Sequence, residues 1–191
     1  MEEKTLVEEA QRGDREAFEA IVKTYEKKVF HLAYSFVQDR ASADDLAQEV
    51  FVKAYFALSK FHFKSEFGTW LYRIAVNHIK DHLRKVSRRK EVSLEEFEDI
   101  PFAADDQVKE KERRQAEDQR KKIVFQVLET LPPKYQMILT LRDVRGFSYE
   151  EIAGILKISP GTVDSRLHRA RKMLRKKMTP YLGGEGGADE V

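Results

Sequence analysis

The sequence predicts an all-α protein built from two small helical domains joined by an acidic linker. Three observations predict it. Apolar residues recur at helical spacing along most of the chain, without strand-type alternation. The stretch 91–112 breaks that period, holding nine acids against two lysines together with Pro101, the composition of a flexible linker. Residues 148–177 then read as a short helix, a tight turn and a longer basic helix, the pattern of a helix-turn-helix. The expected division is a first domain at 1–88, a linker at 89–114, a second domain at 115–178 and a disordered tail at 179–191.

Composition sets the outer limits. The chain has 191 residues, 41% apolar and 36% charged, with a formal net charge of +2. Total charge therefore argues for no partner, and only its distribution carries information. There is no cysteine, which excludes a disulfide framework and thiolate metal sites and fits a reducing compartment. No apolar run approaches the roughly 18–20 residues needed to span a bilayer. The start, Met1-Glu2-Glu3-Lys4-Thr5, lacks the features of a signal peptide. A soluble cytoplasmic protein with no stable membrane insertion is expected.

Residues 5–11 form a short helix candidate ended by Gly13, and Asp14 can cap the next helix, to about Val37. There Phe18, Ile21, Val22, Tyr25, Val29, Leu32, Ala33 and Phe36 keep core-facing spacing. Residues 38–41 are a loop. Ser42, with Asp45 three positions on, is expected to open a helix to about Leu58. Ala43, Leu46, Ala47, Val50, Phe51 and Ala54 form its core stripe. The opposite side carries Asp45, Gln48, Glu49, Val52 and Phe56. Apolar residues beside carboxylates on an outer face suit a protein partner with a basic, apolar groove.

In the loop 59–66, Phe61 and Phe63 alternate with Lys60, His62 and Lys64. Aromatics among cations suit unstacked bases, although one of the two phenylalanines is expected to tuck under the domain. The stretch 67–85 is a helix, apolar over most of its girth through Phe67, Trp70, Leu71, Tyr72, Ile74, Ala75, Val76, Ile79 and Leu83. A narrow open stripe remains: Thr69, Arg73, Asn77, Lys80, Arg84 and Arg88. Cations with an amide and a hydroxyl suit phosphates and base edges.

The second domain is expected to open with a helix at 113–130, stopped by Leu131-Pro132-Pro133. A helix at 133–144 and a turn at Arg145-Gly146-Phe147 follow. Ser148 and Glu151 make a capping-box signature for a short helix with Ile152, Ala153, Ile155 and Leu156 inward. Ser159 and Pro160 open the next helix. Its apolar stripe is Val163, Leu167, Ala170 and Leu174. Its other face carries Thr162, Asp164, Ser165, Arg166, His168, Arg169, Arg171 and Lys172. Seven Arg and Lys against one acid over 162–177 is not a balanced solvated face.

Enzyme readings find little support. His78 and His82 stand four apart with Asp81 between, but both are expected on the apolar side and no third ligand is evident. Asp44, Asp45 and Glu49 lack an accompanying nucleophile, phosphate loop or cofactor motif. No catalytic residue, metal or cofactor is expected.

Five segments together resemble a known family. They are Asp44–Phe51, Phe67–Asn77, Leu131–Tyr135, Ser148–Ala153 and Gly161–Arg171. In order and with normal spacing over about residues 4–178, they are similar to the extracytoplasmic-function sigma factors, the small two-domain members of the sigma-70 family. The resemblance implies a region 2 bundle and a region 4 helix-turn-helix. It also implies a non-catalytic factor that binds bacterial RNA polymerase core and initiates transcription at promoters. By that resemblance Asp45, Gln48, Glu49, Val52 and Phe56 engage the largest subunit. Phe61, His62, Phe63, Lys64, Arg73, Asn77, Lys80 and Arg84 read and help open the −10 element. Thr162, Asp164, Ser165, Arg166, His168, Arg169, Arg171 and Lys172 read the −35 element. The second domain touches the second-largest subunit, and the acidic linker follows the RNA exit path. An anti-sigma factor controls the protein, with the two domains close together in that inhibited state and mobile otherwise.

One position departs from the family pattern. Asp164 stands where many members carry Lys or Arg; a carboxylate there repels phosphate but can accept from a cytosine amino group. The competing readings are a duplex-binding regulator that uses 148–177 alone, a nucleic-acid-modifying enzyme and a helical interaction protein. The first predicts tight binding to promoter duplex without polymerase. The second lacks a site, and the third does not explain two segregated basic faces.

Overall fold

Asp14 opens the first long helix as its spacing predicts. The carboxylate accepts hydrogen bonds from the backbone N–H groups of Glu16 and Ala17, at 2.9 and 3.2 Å, satisfying donors that a helix start leaves unpaired. In the computed structural model the described residues are 2–90 and 123–181. Residues 89 and 90 of the expected linker belong to the last turn of a helix; the rest of the linker, residues 115–122 of the expected second domain and the tail beyond Tyr181 lie outside the described residues. Every regular element among the described residues is helical. The N-terminal bundle comprises α1 (Glu3–Gln11), α2 (Arg15–Val37), α3 (Arg40–Ala57) and α4 (Phe67–Lys90). The C-terminal bundle comprises α5 (123–129), α6 (Pro133–Leu139), α7 (Tyr149–Leu156) and α8 (Pro160–Met178).

The N-terminal core is the apolar stripe of each helix turned inward. Val29, Leu32, Val50, Leu71, Ala75 and Ile79 are fully or almost fully buried. Gln11 ties α1 to the turn after α3, its side-chain amide donating to the carbonyls of Leu58 and Phe61 at 2.9 and 2.7 Å. Gly68 lets α4 start against α2, since a Cβ there would stand 3.0 Å from the Tyr25 hydroxyl oxygen.

One expected cap is corrected. Asp39, not Ser42, opens α3: its carboxylate accepts from the Ser42 N–H at 2.7 Å, so Ser42 lies inside the first turn. Two residues with capping chemistry stood three apart, and the chain took the earlier one because Gln38 ends α2 in the left-handed conformation and turns the backbone there.

In the C-terminal bundle Ile138, Leu139, Leu141, Ile152, Ile155, Val163 and Leu167 form the core. The helix expected at 133–144 runs as α-helix to Leu139 and then widens into a π turn over Thr140–Val144. The Arg145 N–H reaches back to the Thr140 carbonyl at 3.0 Å. Gly146, at φ +78°, reverses the chain into α7. The capping box forms as expected, with Glu151 N–H on Ser148 Oγ at 3.2 Å and Ser148 N–H on Glu151 Oε2 at 2.8 Å. Ser159 caps α8, with Pro160 in its first turn. Where a disordered tail was expected to begin, Thr179–Tyr181 forms one 3-10 turn.

The two bundles pack on each other through α4 and α7. Tyr72 meets Phe147 edge to face, with ring centroids 4.8 Å apart. Gln136 donates to the Ser35 carbonyl, and Arg145 donates to the Lys28 carbonyl at 3.3 Å. This close arrangement is the one expected of the inhibited state.

Candidate nucleic-acid interface

The outer face of α3 is a mixed acidic and apolar surface. Asp45, Gln48 and Glu49 are exposed. Val52 is 55% exposed and Phe56 76%. Tyr55 joins them, also exposed, its ring held edge-on by Phe18 and Phe56. Sequence reasoning missed Tyr55, although its place three residues after Val52 was the available signal.

Glu49 also bounds a cleft of about 390 Å3 between α3 and α4, which Lys53, His78, Asp81 and His82 help to line. His78 was expected to project into apolar surroundings. Instead Nε2 lies 2.8 Å from Glu49 Oε2, out of hydrogen-bond alignment, and Nδ1 meets Lys53 Nζ. Burial first, and then the Lys53 ammonium, hold the His78 pKa below the ordinary imidazole value, while Glu49 and Asp81 pull the other way.

The loop before α4 divides its aromatics. Phe61 is buried, packed on Phe63, Phe67 and Trp70. It is therefore core in this structure and presents no face to a base, a correction to its expected place among the DNA contacts. Phe61 completes the apolar seat under the loop against Trp70, with Gln11 fixing its backbone there. Phe63 remains outside, 39% exposed, with a left-handed backbone at φ +54°. His62 and Lys64 are exposed beside it.

The polar stripe of α4, expected from sequence to be open throughout, is covered in part. Thr69 is 3% exposed and donates to Glu151 Oε1 of α7 at 2.9 Å. Arg73 is half-buried, with its guanidinium against Gly154 of α7. Asn77 and Arg84 are exposed. Lys80 is half-buried. Burial lowers its pKa, and the nearby cations Arg166 and Arg84 lower it further. The stripe and the C-terminal bundle thus meet, a long-range contact that helical periodicity within α4 does not reveal.

In α8, Asp164, Ser165, His168, Arg169 and Lys172 are exposed, while Thr162, Arg166 and Arg171 are half-buried. Thr162 is drawn to the cap, its hydroxyl 2.8 Å from Ser159 Oγ. Arg171 makes a two-pronged pair with Asp143, at 2.6 Å from Nη2 and 3.3 Å from Nε. The Asp143 hydrogen bond raises the Arg171 pKa. Asp164, His168, Arg171 and Tyr149 line a depression of about 220 Å3. Asp143 was not among the expected site residues, because its role depends on the π turn bringing it to α8.

These surfaces separate an acidic–apolar face on α3 from cationic faces on α4 and α8, a division suited to one protein partner and two nucleic-acid contacts. The chain matches Sigma-70 region 2 over residues 21–89 and Sigma-70, region 4 over residues 121–174. It is 41% identical over 185 residues to the RNA polymerase sigma-H factor of Pseudomonas aeruginosa, covering 95% of this chain and 96% of that protein. It is 40% identical over 184 residues to the ECF RNA polymerase sigma-E factor of Escherichia coli, covering 94% and 96%. Its fold resembles CnrH in complex with the cytosolic domain of CnrY, at TM-score 0.67 and 24% identity over 93% of this chain and 97% of that one. It also resembles sigma factor RpoE in complex with the anti-sigma factor NepR from Bartonella quintana, at TM-score 0.65 and 24% identity over 85% and 96%. With both regions present in chain order and the likeness running nearly end to end, the chain belongs to the extracytoplasmic-function RNA polymerase sigma factors of the sigma-70 family, which are non-catalytic.

Proposed function

We propose that this sigma factor docks on core polymerase through the outer face of α3 and reads promoter DNA with two separate surfaces. The observation that carries the reading is the exposure of Val52 and Phe56 beside Asp45 and Glu49, on a face free of the cationic stripes. Large exposed apolar side chains rimmed by charge mark a protein interface. Asp45, Gln48 and Glu49 supply the charged rim toward the largest subunit. His62, Phe63 and Lys64, with Arg73, Asn77, Lys80 and Arg84 of α4, hold the opened −10 strand. Phe63 offers a ring for stacking and the cations neutralise phosphates. The N-terminal part of α8 enters the −35 major groove. There Ser165, Arg166, Arg169 and Lys172 meet bases and phosphates, and Asp164 tunes base choice. The C-terminal bundle also touches the second-largest subunit. In this reading the domains are 1–88 and 115–178, joined by an acidic linker that follows the RNA exit path.

The protein acts in the cytoplasm, where polymerase and chromosome lie. Among the described residues no helix is long and apolar enough to cross a membrane. An anti-sigma factor of the kind bound to RpoE of Bartonella quintana covers the polymerase- and DNA-binding faces when the protein is inactive.

Run-off transcription with purified bacterial core polymerase and a promoter library tests this reading. The expected result is initiation from a discrete promoter set only when the protein is present, abolished by Asp45→Arg. Absence of initiation, with tight binding of the protein alone to promoter duplex, would overturn it in favour of a conventional regulator.

A further inference from the structure

The loop between α3 and α4 carries an aromatic ring on a backbone that aromatic residues rarely adopt. Phe63 sits at φ +54°, a left-handed setting that a bulky side chain keeps only where its surroundings impose it. Hydrogen bonding within the loop imposes little. Among the described residues its backbone–backbone hydrogen bonds stand only at the two ends, from the Phe61 N–H to the Leu58 carbonyl at 3.0 Å and from the Trp70 N–H to the Glu66 carbonyl at 3.1 Å, and none involves 62–65. The restraint comes from α1. The Gln11 side-chain nitrogen directs its N–H groups at the Leu58 and Phe61 carbonyls, at 2.9 and 2.7 Å. The first carbonyl already closes the short turn after α3, and the second lies two residues before Phe63. Phe61, fixed in this way, holds the Phe63 ring against its own, with centroids 4.8 Å apart. From the start of the same helix, Lys4 places its ammonium over the Phe63 ring, 6.0 Å from the centroid. α1 is itself a firm support: Val7 and Ala10 are buried, and the Tyr25 hydroxyl of α2 donates to the Glu3 carboxylate.

We propose that Gln11 is a positioning residue for the −10 strand: by clamping the Leu58 and Phe61 carbonyls it presets the Phe63 ring for a base to stack on. The inference rests on the proposed role of Phe63 in holding that strand. A ring and loop ordered before the strand arrives leave less freedom to be lost on binding. Without the clamp, Phe63 is released toward the extended and right-handed regions of its backbone, and only part of the population presents the ring. The chemistry singles out an amide at position 11. Its one nitrogen supplies two donors to two carbonyls, whereas a carboxylate of the same size would face them with oxygen alone. An amide one methylene shorter on the same helix loses reach. Gln11 stands 50 positions before Phe61, so no pattern within the loop itself reveals the clamp.

The test uses holoenzyme assembled from bacterial core polymerase and the full chain, with a fluorescent randomised single-stranded DNA pool as probe and core alone as background. Gln11→Met keeps the side-chain length and removes both donors. It is measured in the parent and in Phe63→Ala, as a double-mutant cycle. In the parent background Gln11→Met should weaken pool binding about fivefold, the loss expected when the competent loop falls to about a fifth of the population. In the Phe63→Ala background the same substitution should change binding less than about twofold, since the ring it positions is gone. Affinity for core polymerase should stay at the parent value, because the α3 face is untouched. Should Gln11→Met fail to fold, Gln11→Asn carries the same cycle. An equal loss in both backgrounds would mean that Gln11 supports the fold alone, and no loss in the parent background would mean that the ring stays in place without the clamp; either overturns the proposal. If Phe63→Ala itself leaves pool binding unchanged, the reading of Phe63 as a strand contact fails and the role of Gln11 with it. Initiation in the run-off assay separates that failure from a failure of the sigma-factor function.

Discussion

The imidazole of His78 stands between Glu49 and Lys53, with Nε2 2.8 Å from Glu49 Oε2 and Nδ1 against Lys53 Nζ. A buried ring thus links the outer acidic–apolar side of α3 to α4. Its protonation is also linked to folding. Burial and Lys53 hold the pKa below the unfolded value of 6.5, against the pull of Glu49 and Asp81. As pH falls, the unfolded chain takes this proton first. The His78 contribution is therefore complete above 6.5 and is lost as pH drops from there through the folded pKa. Urea midpoints measured at about pH 8 and about pH 5.5 should show a fall in the parent that shrinks in His78→Gln. Equal falls in the two proteins would remove His78 as the cause.

The α3 face should separate stability from assembly. Phe56 is 76% exposed, so Phe56→Ala should change unfolding free energy by no more than about 0.5 kcal/mol. Its affinity for core polymerase should fall by roughly 2 kcal/mol if the ring is a central anchor. Chemical denaturation and a competition assay for core binding read the two effects independently.

The two loop phenylalanines should respond oppositely. Phe61→Ala removes a buried ring from the cluster of Phe63, Phe67 and Trp70 and should cost about 3–5 kcal/mol of stability. Phe63→Ala should leave the fold near its parent stability and weaken single-strand binding by about 1–3 kcal/mol.

Asp164 is exposed on α8 beside His168. Asp164→Arg should raise general DNA affinity, steepen the salt dependence by about one phosphate contact, and change the preferred −35 bases. A promoter-mutant series at constant salt reads preference, and a salt titration reads the contact. An unaltered base preference would show that position 164 faces the backbone only.

Asp143 holds Arg171 by two hydrogen bonds. The pair is half-exposed, so Asp143→Asn should cost about 0–1 kcal/mol of stability. It should nonetheless increase duplex affinity in a filter-binding assay, because it removes a carboxylate and releases a guanidinium. A decrease would mean that Asp143 positions Arg171 for DNA rather than withholding it.

The helices and the separation of surfaces were legible because they depend on local chemistry. The stripe of α2, the capping box of Ser148 and Glu151, and the Ser159–Pro160 start of α8 are each written within a few residues. The acidic–apolar face of α3 was equally plain, because alternating burial on a helix follows its period. Where two neighbouring residues had the same capping chemistry, as with Asp39 and Ser42, local chemistry alone could not choose between them.

What only the tertiary structure decided involves residues distant in sequence. Thr69 reads as open on any helical wheel, yet Glu151, far along the chain, buries it. Phe61 and Phe63 have the same side chain and similar neighbours, but the Gln11 clamp and the Trp70 ring draw one into the core. His78 acquired its partners from α3, and Arg171 met Asp143 because a π turn carried that carboxylate to α8. Periodicity specifies which side of a helix is apolar. It does not specify which polar residues on the other side a second bundle will cover, since that depends on contacts between surfaces formed only after each helix has folded.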